Sequence, residues 1–320
     1  MSLSRRQFIS LSAAAPLALA LSGCSLTHRK SGPISERIID AVATTGMVGD
    51  LVLNVAGNRA EVDALMGPGV DPHLFKASER TLRTMERADI VFYNGLHLEG
   101  GLSFVLEEMG KRQPTWVVSQ SIPEERLRRP PEFEGNYDPH IWFDVSLWTM
   151  AAESTIAGMQ DLDPTSAELY ATNGEAYLAE LRSLEEWVFA QVEQVPTEQR
   201  VLITAHDAFG YFGARYGFEV RGIQGASTAT EAGAGDLQDL AEFIATRRIP
   251  AIFVESSVPR RTIEALREAV RSRGFEVRIG GELFSDAMGT KGTPEGTYLG
   301  MVRHNVNTIV NALLGKEFHE

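Results

Sequence analysis

Apolar residues change their spacing along this chain with a regularity that predicts alternating strands and helices. Short runs with β-rich character fall at 38–44, 60–66, 89–93 and 115–119, and between them 48–55, 78–87 and 102–111 repeat at helical spacing. Alternation of this kind argues for a parallel sheet flanked by helices, an α/β fold. After 119 a Pro-rich stretch containing Pro123, Pro130 and Pro131 leads to a helix beginning near Asp144. From 164 to 195 the only glycine is Gly174, and Leu169, Tyr177, Leu178, Leu181, Leu184, Trp187, Val188 and Val192 recur at helical spacing. One long helix of roughly 45 Å is expected there, at about 1.5 Å per residue. Beyond Pro196 the pattern restarts. Strands are expected at 201–204, 218–223, 251–254 and 275–279, and helices at 209–216, 236–247, 259–273 and 294–314. The predicted fold is therefore α/β with two lobes, 35–163 and 196–320, each with a parallel sheet flanked by helices. The rigid helix 164–195 joins them.

The N-terminus follows a different pattern. Ser4-Arg5-Arg6-Gln7-Phe8-Ile9 reads as a twin-arginine export signal, followed by an apolar run, 11–21, shorter than the ~20 residues that span a bilayer. The run closes on Leu21-Ser22-Gly23-Cys24, which resembles the lipobox of bacterial lipoproteins. Cleavage before Cys24 would remove 1–23 as a signal peptide. It would leave an acylated cysteine as membrane anchor and 24–34 as a polar tether. Cys24 is the sole cysteine among 320 residues, so neither an intrachain disulfide nor a thiolate metal site can form. The net charge of −13 becomes −15 on losing Arg5 and Arg6, which disfavours nucleic acid and anionic lipid surfaces as partners.

Candidate chemistry concentrates in histidines. In open parallel sheets ligands bind beyond the carboxyl ends of the strands. His73 follows the strand ending at Met66 through Gly67-Pro68-Gly69, His140 follows the strand ending at Ser119, and His206 follows 201–204. Asp286 follows the strand ending near Ile279. Proline precedes both His73 and His140 and stiffens the backbone there. Three imidazoles and one carboxylate suit Zn²⁺ and are compatible with Mn²⁺ or Fe²⁺. Glu255, also at a strand end, is expected to orient a histidine N–H from outside this set. His97, His304 and His319 lack such a setting, and His28 lies in the tether. No glycine-rich phosphate loop and no G-x-S-x-G nucleophile elbow occurs.

Several blocks in order carry a resemblance. They are Thr44-Thr45-Gly46-Met47, Gly67-Pro68-Gly69-Val70-Asp71-Pro72-His73, Tyr93-Asn94-Gly95-Leu96-His97-Leu98-Glu99, Asp138-Pro139-His140-Ile141-Trp142-Phe143-Asp144 and Thr204-Ala205-His206-Asp207. Phe253-Val254-Glu255-Ser256 and Leu283-Phe284-Ser285-Asp286-Ala287-Met288-Gly289 continue them. Together they resemble the TroA-like metal-binding receptors, the solute-binding proteins of bacterial zinc, manganese and iron ABC importers. The resemblance implies a metal held between the lobes by His73, His140, His206 and Asp286, and no catalysis. It implies an ABC permease with its cytoplasmic ATPase as partner, and a monomer anchored outside the cytoplasm. Histidine at position 206 points to zinc first. Residues 120–137 contain no histidine, unlike the His-rich loop common in dedicated zinc receptors, which keeps manganese next in line. The alternative from another class is a zinc-dependent hydrolase using the same His/Asp cluster, with Glu255 or Asp207 as general base.

Overall fold

The computed structural model describes residues 32–133, 135–229 and 233–316. The export signal, Cys24 and most of the tether lie outside the described residues, as does His319. In the first lobe, β1 (Ile39–Ala43), β2 (Ala60–Ala64), β3 (Ile90–Tyr93) and β4 (Thr115–Val117) form one parallel sheet in the order β2-β1-β3-β4. The register pairs Ile39 with Ala60, Ala41 with Ile90 and Val91 with Thr115. The sheet is flanked by α1 (Gly46–Ala56), α2 (Glu79–Arg87) and α3 (Ser103–Gly110). Thr45 caps α1 by accepting from Val48 N, and Ser78 caps α2 by accepting from Thr81 N. β2 ends two residues before Met66, yet Leu65 N and Met66 N still bond to Ala43 O and Thr44 O.

The helices α4 (Val145–Leu162) and α5 (Ala167–Val192) pack against each other at the join. The long helix is shorter than its apolar periodicity suggested, about 39 Å. Pro164 opens a separate 3-10 turn, Pro164–Ser166, and α5 begins only at Ala167. At Gly174 a Cβ would stand 2.2 Å from Ile156 Cδ1, so this glycine is what lets α4 close onto α5.

In the second lobe β5 (Val201–His206) pairs in parallel with β6 (Glu219–Gln224), β7 (Ala251–Glu255) pairs with β8 (Arg278–Leu283), and β5 lies beside β7. Helices α6 (Gly210–Tyr216), α7 (Ala234–Arg247), α8 (Arg261–Arg271) and α9 (Tyr298–Leu313) complete it. β8 lies three to four residues later than its sequence pattern predicts. Its glycines explain both the shift and the missing signal. A Cβ on Gly280 would stand 2.7 Å from Ala312 Cβ, and one on Gly281 2.6 Å from Thr308 Cγ2. α9 therefore rests directly on bare backbone, where no alternating side chains exist to be read. The last helix starts at Tyr298 rather than 294, because Pro294–Gly296 forms a 3-10 turn and Thr297 caps the helix by accepting from Gly300 N.

The largest apolar cluster runs without interruption from Ile39 and Leu51 through Trp148, Tyr177, Leu184 and Phe212 to Tyr298 and Ile309. Burial of each such aliphatic side chain is worth about 1.5–3 kcal/mol, so α5 is held along its length by both lobes. A second cluster, including Ile203, Ile252, Leu240 and Leu266, fills the outer half of the second lobe, and a third, including Val91, Met85 and Leu106, underlies the first sheet. Among the described residues no helix is long and apolar enough to cross a membrane.

Candidate metal centre

Parallel strands leave their carboxyl ends on one edge, and the four predicted residues descend from those edges. His73 hangs from the loop after β2, which turns at Gly67–Val70 with Val70 N bonded to Gly67 O and Gly69 at φ 72°, as a type II turn requires. His140 ends the long connection from β4, His206 is the last residue of β5, and Asp286 lies three residues beyond β8. His206 thus belongs to its strand, where the sequence pattern placed it just past the end.

These four residues converge. One potential ligand atom from each lies within 4.8 Å of all the others. His140 and His206 are fully buried, Asp286 is 2% exposed and His73 8%. His73 Nε2 is 3.3 Å from His140 Nε2, His140 Nε2 is 3.2 Å from Asp286 Oδ1, and His206 Nε2 is 3.2 Å from Asp286 Oδ2. The His73 Nε2 to Asp286 Oδ2 separation is 3.9 Å. A tetrahedron with metal–nitrogen bonds of 2.0–2.1 Å has edges of about 3.3 Å, close to the three shorter separations, while His73 Nε2 to Asp286 Oδ2 is longer. Both Asp286 oxygens and His206 Nε2 are buried without a well-formed hydrogen bond. Buried polar atoms left in that condition are costly unless something occupies the space between them.

Carboxylates behind the rings set which nitrogen faces inward. His140 Nδ1 lies 2.7 Å from Asp138 Oδ1, and His206 Nδ1 lies 2.6 Å from Glu255 Oε2. A carboxylate only accepts, so each Nδ1 carries the proton and each Nε2 offers its lone pair when the ring is neutral. Glu255 Oε1 also accepts from Ala205 N at 2.7 Å and His206 N at 2.9 Å, fixing the end of β5. Asp286 is steadied from both lobes: Trp142 Nε1 donates to Ser285 O at 3.0 Å, and Asn305 pairs with both polar backbone atoms of Phe284.

The charges follow. Burial pushes His73 down to about 3, Asp286 offsetting only part of this. Burial also works against the charged form of His140, but the Asp138 and Asp286 carboxylates beside it overcome this and raise the ring to about 9. His206 is raised well above its ordinary value because Glu255 and Asp286 outweigh its burial. Asp286 is held well below the carboxylate range, since the His206 and His140 rings outweigh burial.

Asp138 and Asp71 were not singled out from the sequence as supports. The signal was present in the repeated Asp-Pro-His, since an aspartate two residues before a turn residue accepts that residue's N–H. Asp71 Oδ1 accepts from His73 N at 2.8 Å and Asp138 Oδ1 from His140 N at 3.0 Å. Of the histidines set aside, His304 Nε2 bonds to Glu282 O at 2.9 Å and His97 sits in a turn at φ 66°. A cavity of about 260 Å³ lined in part by Asp50, Met66, Met288 and Lys291 touches none of the four converging residues.

Known proteins match over this framework. The sequence model described as zinc-uptake complex component A, periplasmic, matches residues 41–312. The zinc-binding protein TroA of Treponema pallidum is 48% identical over 273 residues, 85% of this chain and 88% of that protein. The manganese-binding lipoprotein MntA of Bacillus subtilis is 43% identical over 295 residues, 92% of this chain and 95% of that protein. The solved structure of the Treponema pallidum periplasmic zinc-binding protein TroA superposes with a TM-score of 0.84 at 47% identity, covering 86% of this chain and 99% of that one. The hydrolase alternative finds no support in these relatives, which are named for binding zinc and manganese. With identity and coverage at this level, the chain belongs to the periplasmic zinc-uptake complex component A family, and it is a substrate-binding protein rather than an enzyme.

Proposed function

We propose that this protein is the solute-binding component of an ABC importer that captures a divalent transition metal between its lobes and delivers it to a membrane permease driven by a cytoplasmic ATPase. His73, His140, His206 and Asp286 hold the ion, and Glu255 orients His206. The lobes divide at the helix joining 35–163 to 196–320, with 24–34 as tether. The observation that carries this reading is the convergence of three imidazole nitrogens and one carboxylate within 4.8 Å in a buried site. Four protein ligands fill a tetrahedral shell and leave no position for an activated water, which suits capture and release of cargo.

Zn²⁺ is the favoured ion, Mn²⁺ the next, and Fe²⁺ fits the same donors. Three imidazoles suit the borderline zinc ion better than manganese, which prefers oxygen donors. The two relatives above are named for different metals, so the donor set rather than kinship supports the order. The lipobox-like sequence at Cys24 supports anchorage through an acylated N-terminus on the outer side of the membrane, in agreement with the lipoprotein name of the MntA relative.

The test is elemental analysis of protein purified from its own envelope without chelator, together with competitive Zn²⁺ and Mn²⁺ titration. About one zinc per chain, released when the cluster is mutated, is the expected result. Predominant manganese would reverse the order of metals, and a chain that binds neither ion would overturn the assignment.

A further inference from the structure

The segment that delivers His140 is held by both lobes at successive peptides. Tyr211, in the first turn of α6 in the second lobe, accepts a hydrogen bond from Arg128 N at 3.0 Å and donates one to Asp138 O at 3.0 Å. Asp138 N in turn donates to Arg128 O at 2.9 Å, closing a ring of three bonds around the phenol oxygen. The Arg128 guanidinium donates to Gly210 O and its Nε lies 3.6 Å from Asp138 Oδ2. One residue further on, Asn94 at the end of β3 in the first lobe donates from Nδ2 to Pro139 O at 3.0 Å. The two carbonyls preceding His140 are therefore gripped one from each lobe. Tyr211 and Asn94 are both buried, and Asp138 is fully so.

We propose that Tyr211 is a positioning residue for metal capture. Through its hydroxyl, the second lobe sets the Asp138 peptide and with it the carboxylate that aims His140 at the ion. Asp138 is rigidly joined to His140 by a single proline, so a displacement of α6 relative to the first lobe reaches the His140 ring without passing through the other three ligands. The lobes then sense one another at the metal, which is what an importer needs if docking on a membrane partner is to loosen the site. This inference rests on His140 being a ligand, and the two can fail separately.

The experiment is a double-mutant cycle on the full chain with Zn²⁺ as probe and Co²⁺ absorption as a report of ligand geometry. His140→Ala tests the ligand assignment alone. Tyr211→Phe removes one oxygen and keeps the ring, and a thermal melt close to that of the parent shows that the fold is retained. Tyr211→Phe is expected to weaken Zn²⁺ binding about three- to tenfold, less than the 10–100-fold typical of a direct partner of a ligand, and to alter the Co²⁺ spectrum. In an Asp138→Asn background the same change is expected to cost less than about twofold, because the route it acts through is gone. An equal loss in both backgrounds, or an unchanged affinity and Co²⁺ spectrum in Tyr211→Phe, would overturn the proposal. If Tyr211→Phe failed to fold, Gly210→Ala, whose Cβ would stand 2.8 Å from the Arg128 guanidinium carbon, disturbs the same tie from its other end. A Zn²⁺ loss there that shrinks in Asp138→Asn supports the proposal, and one that persists undiminished overturns it.

Discussion

The tripeptide Asp-Pro-His occurs twice, and its two copies behave differently. In both, the aspartate accepts the N–H of the histidine two residues on. At 138–140 the same carboxylate oxygen also stands 2.7 Å from the imidazole, and the ring is fully buried and raised to about 9. At 71–73 the other Asp71 oxygen accepts instead from the Thr228 hydroxyl of the second lobe at 2.6 Å. Among the described residues no carboxylate stands against His73 Nδ1, and burial takes that ring down to about 3. The copy at 138–140 turns its carboxylate onto the His140 ring, whereas the copy at 71–73 ties the two lobes through Thr228. Local sequence sets the turn, and the neighbour across the cleft decides what the carboxylate does.

The largest test of this difference is ligand removal. His140→Ala is expected to weaken Zn²⁺ binding more than about a hundredfold, beyond what loss of an outer partner causes, and His73→Ala roughly tenfold less severely. Chelator competition measures both, and equal losses would erase the contrast. Next come the supports. Asp138→Asn is expected to cost 10–100-fold in affinity, since it removes the acceptor that fixes the His140 tautomer. Asp71→Asn keeps an oxygen for His73 N and is expected to cost less than about threefold on the same principle.

Proton release sharpens the comparison further. A metal takes neutral imidazole, so at pH 7 an ion must expel protons from His140, raised to about 9, and from His206, raised well above its ordinary value. His73, lowered to about 3, and Asp286, already ionised, give none. Zn²⁺ uptake in weak buffer is expected to release about two protons at pH 7, and affinity is expected to rise as pH goes from 7 to 9. Release of none would show that the rings are neutral before the ion arrives. The smallest effect concerns the tie itself. Thr228→Val removes one hydrogen bond to a carboxylate and is expected to lower stability by about 1–2 kcal/mol in denaturant unfolding, with His140 geometry untouched in the Co²⁺ spectrum.

Much of the architecture was legible because it rests on local periodicity. The buried stripe Tyr170, Tyr177, Leu181, Leu184 and Val188 announces α5, and β5 and β7 read as strands because each opens on a run of apolar residues, every one of them buried. β8 was misplaced for a local reason of the opposite kind. Gly280 and Gly281 give no alternation, since their function is to let Ala312 and Thr308 of α9 approach the backbone. That error moved the strand end but not Asp286, which remained the carboxylate beyond it.

The sequence by itself determined most of the elements and their order, and placed His73, His140, His206 and Asp286 on the connections that follow strands or at a strand's last residue, because hydrophobic spacing and proline act over a few residues. Only the tertiary structure decided which ring Glu255 faces and what grips the two aspartates. Glu255 reaches His206 across 49 residues of sequence, Tyr211 reaches Asp138 across 73, and Thr228 reaches Asp71 across 157. A carboxylate's choice between an imidazole and a hydroxyl depends on what the packed lobes bring within 3 Å.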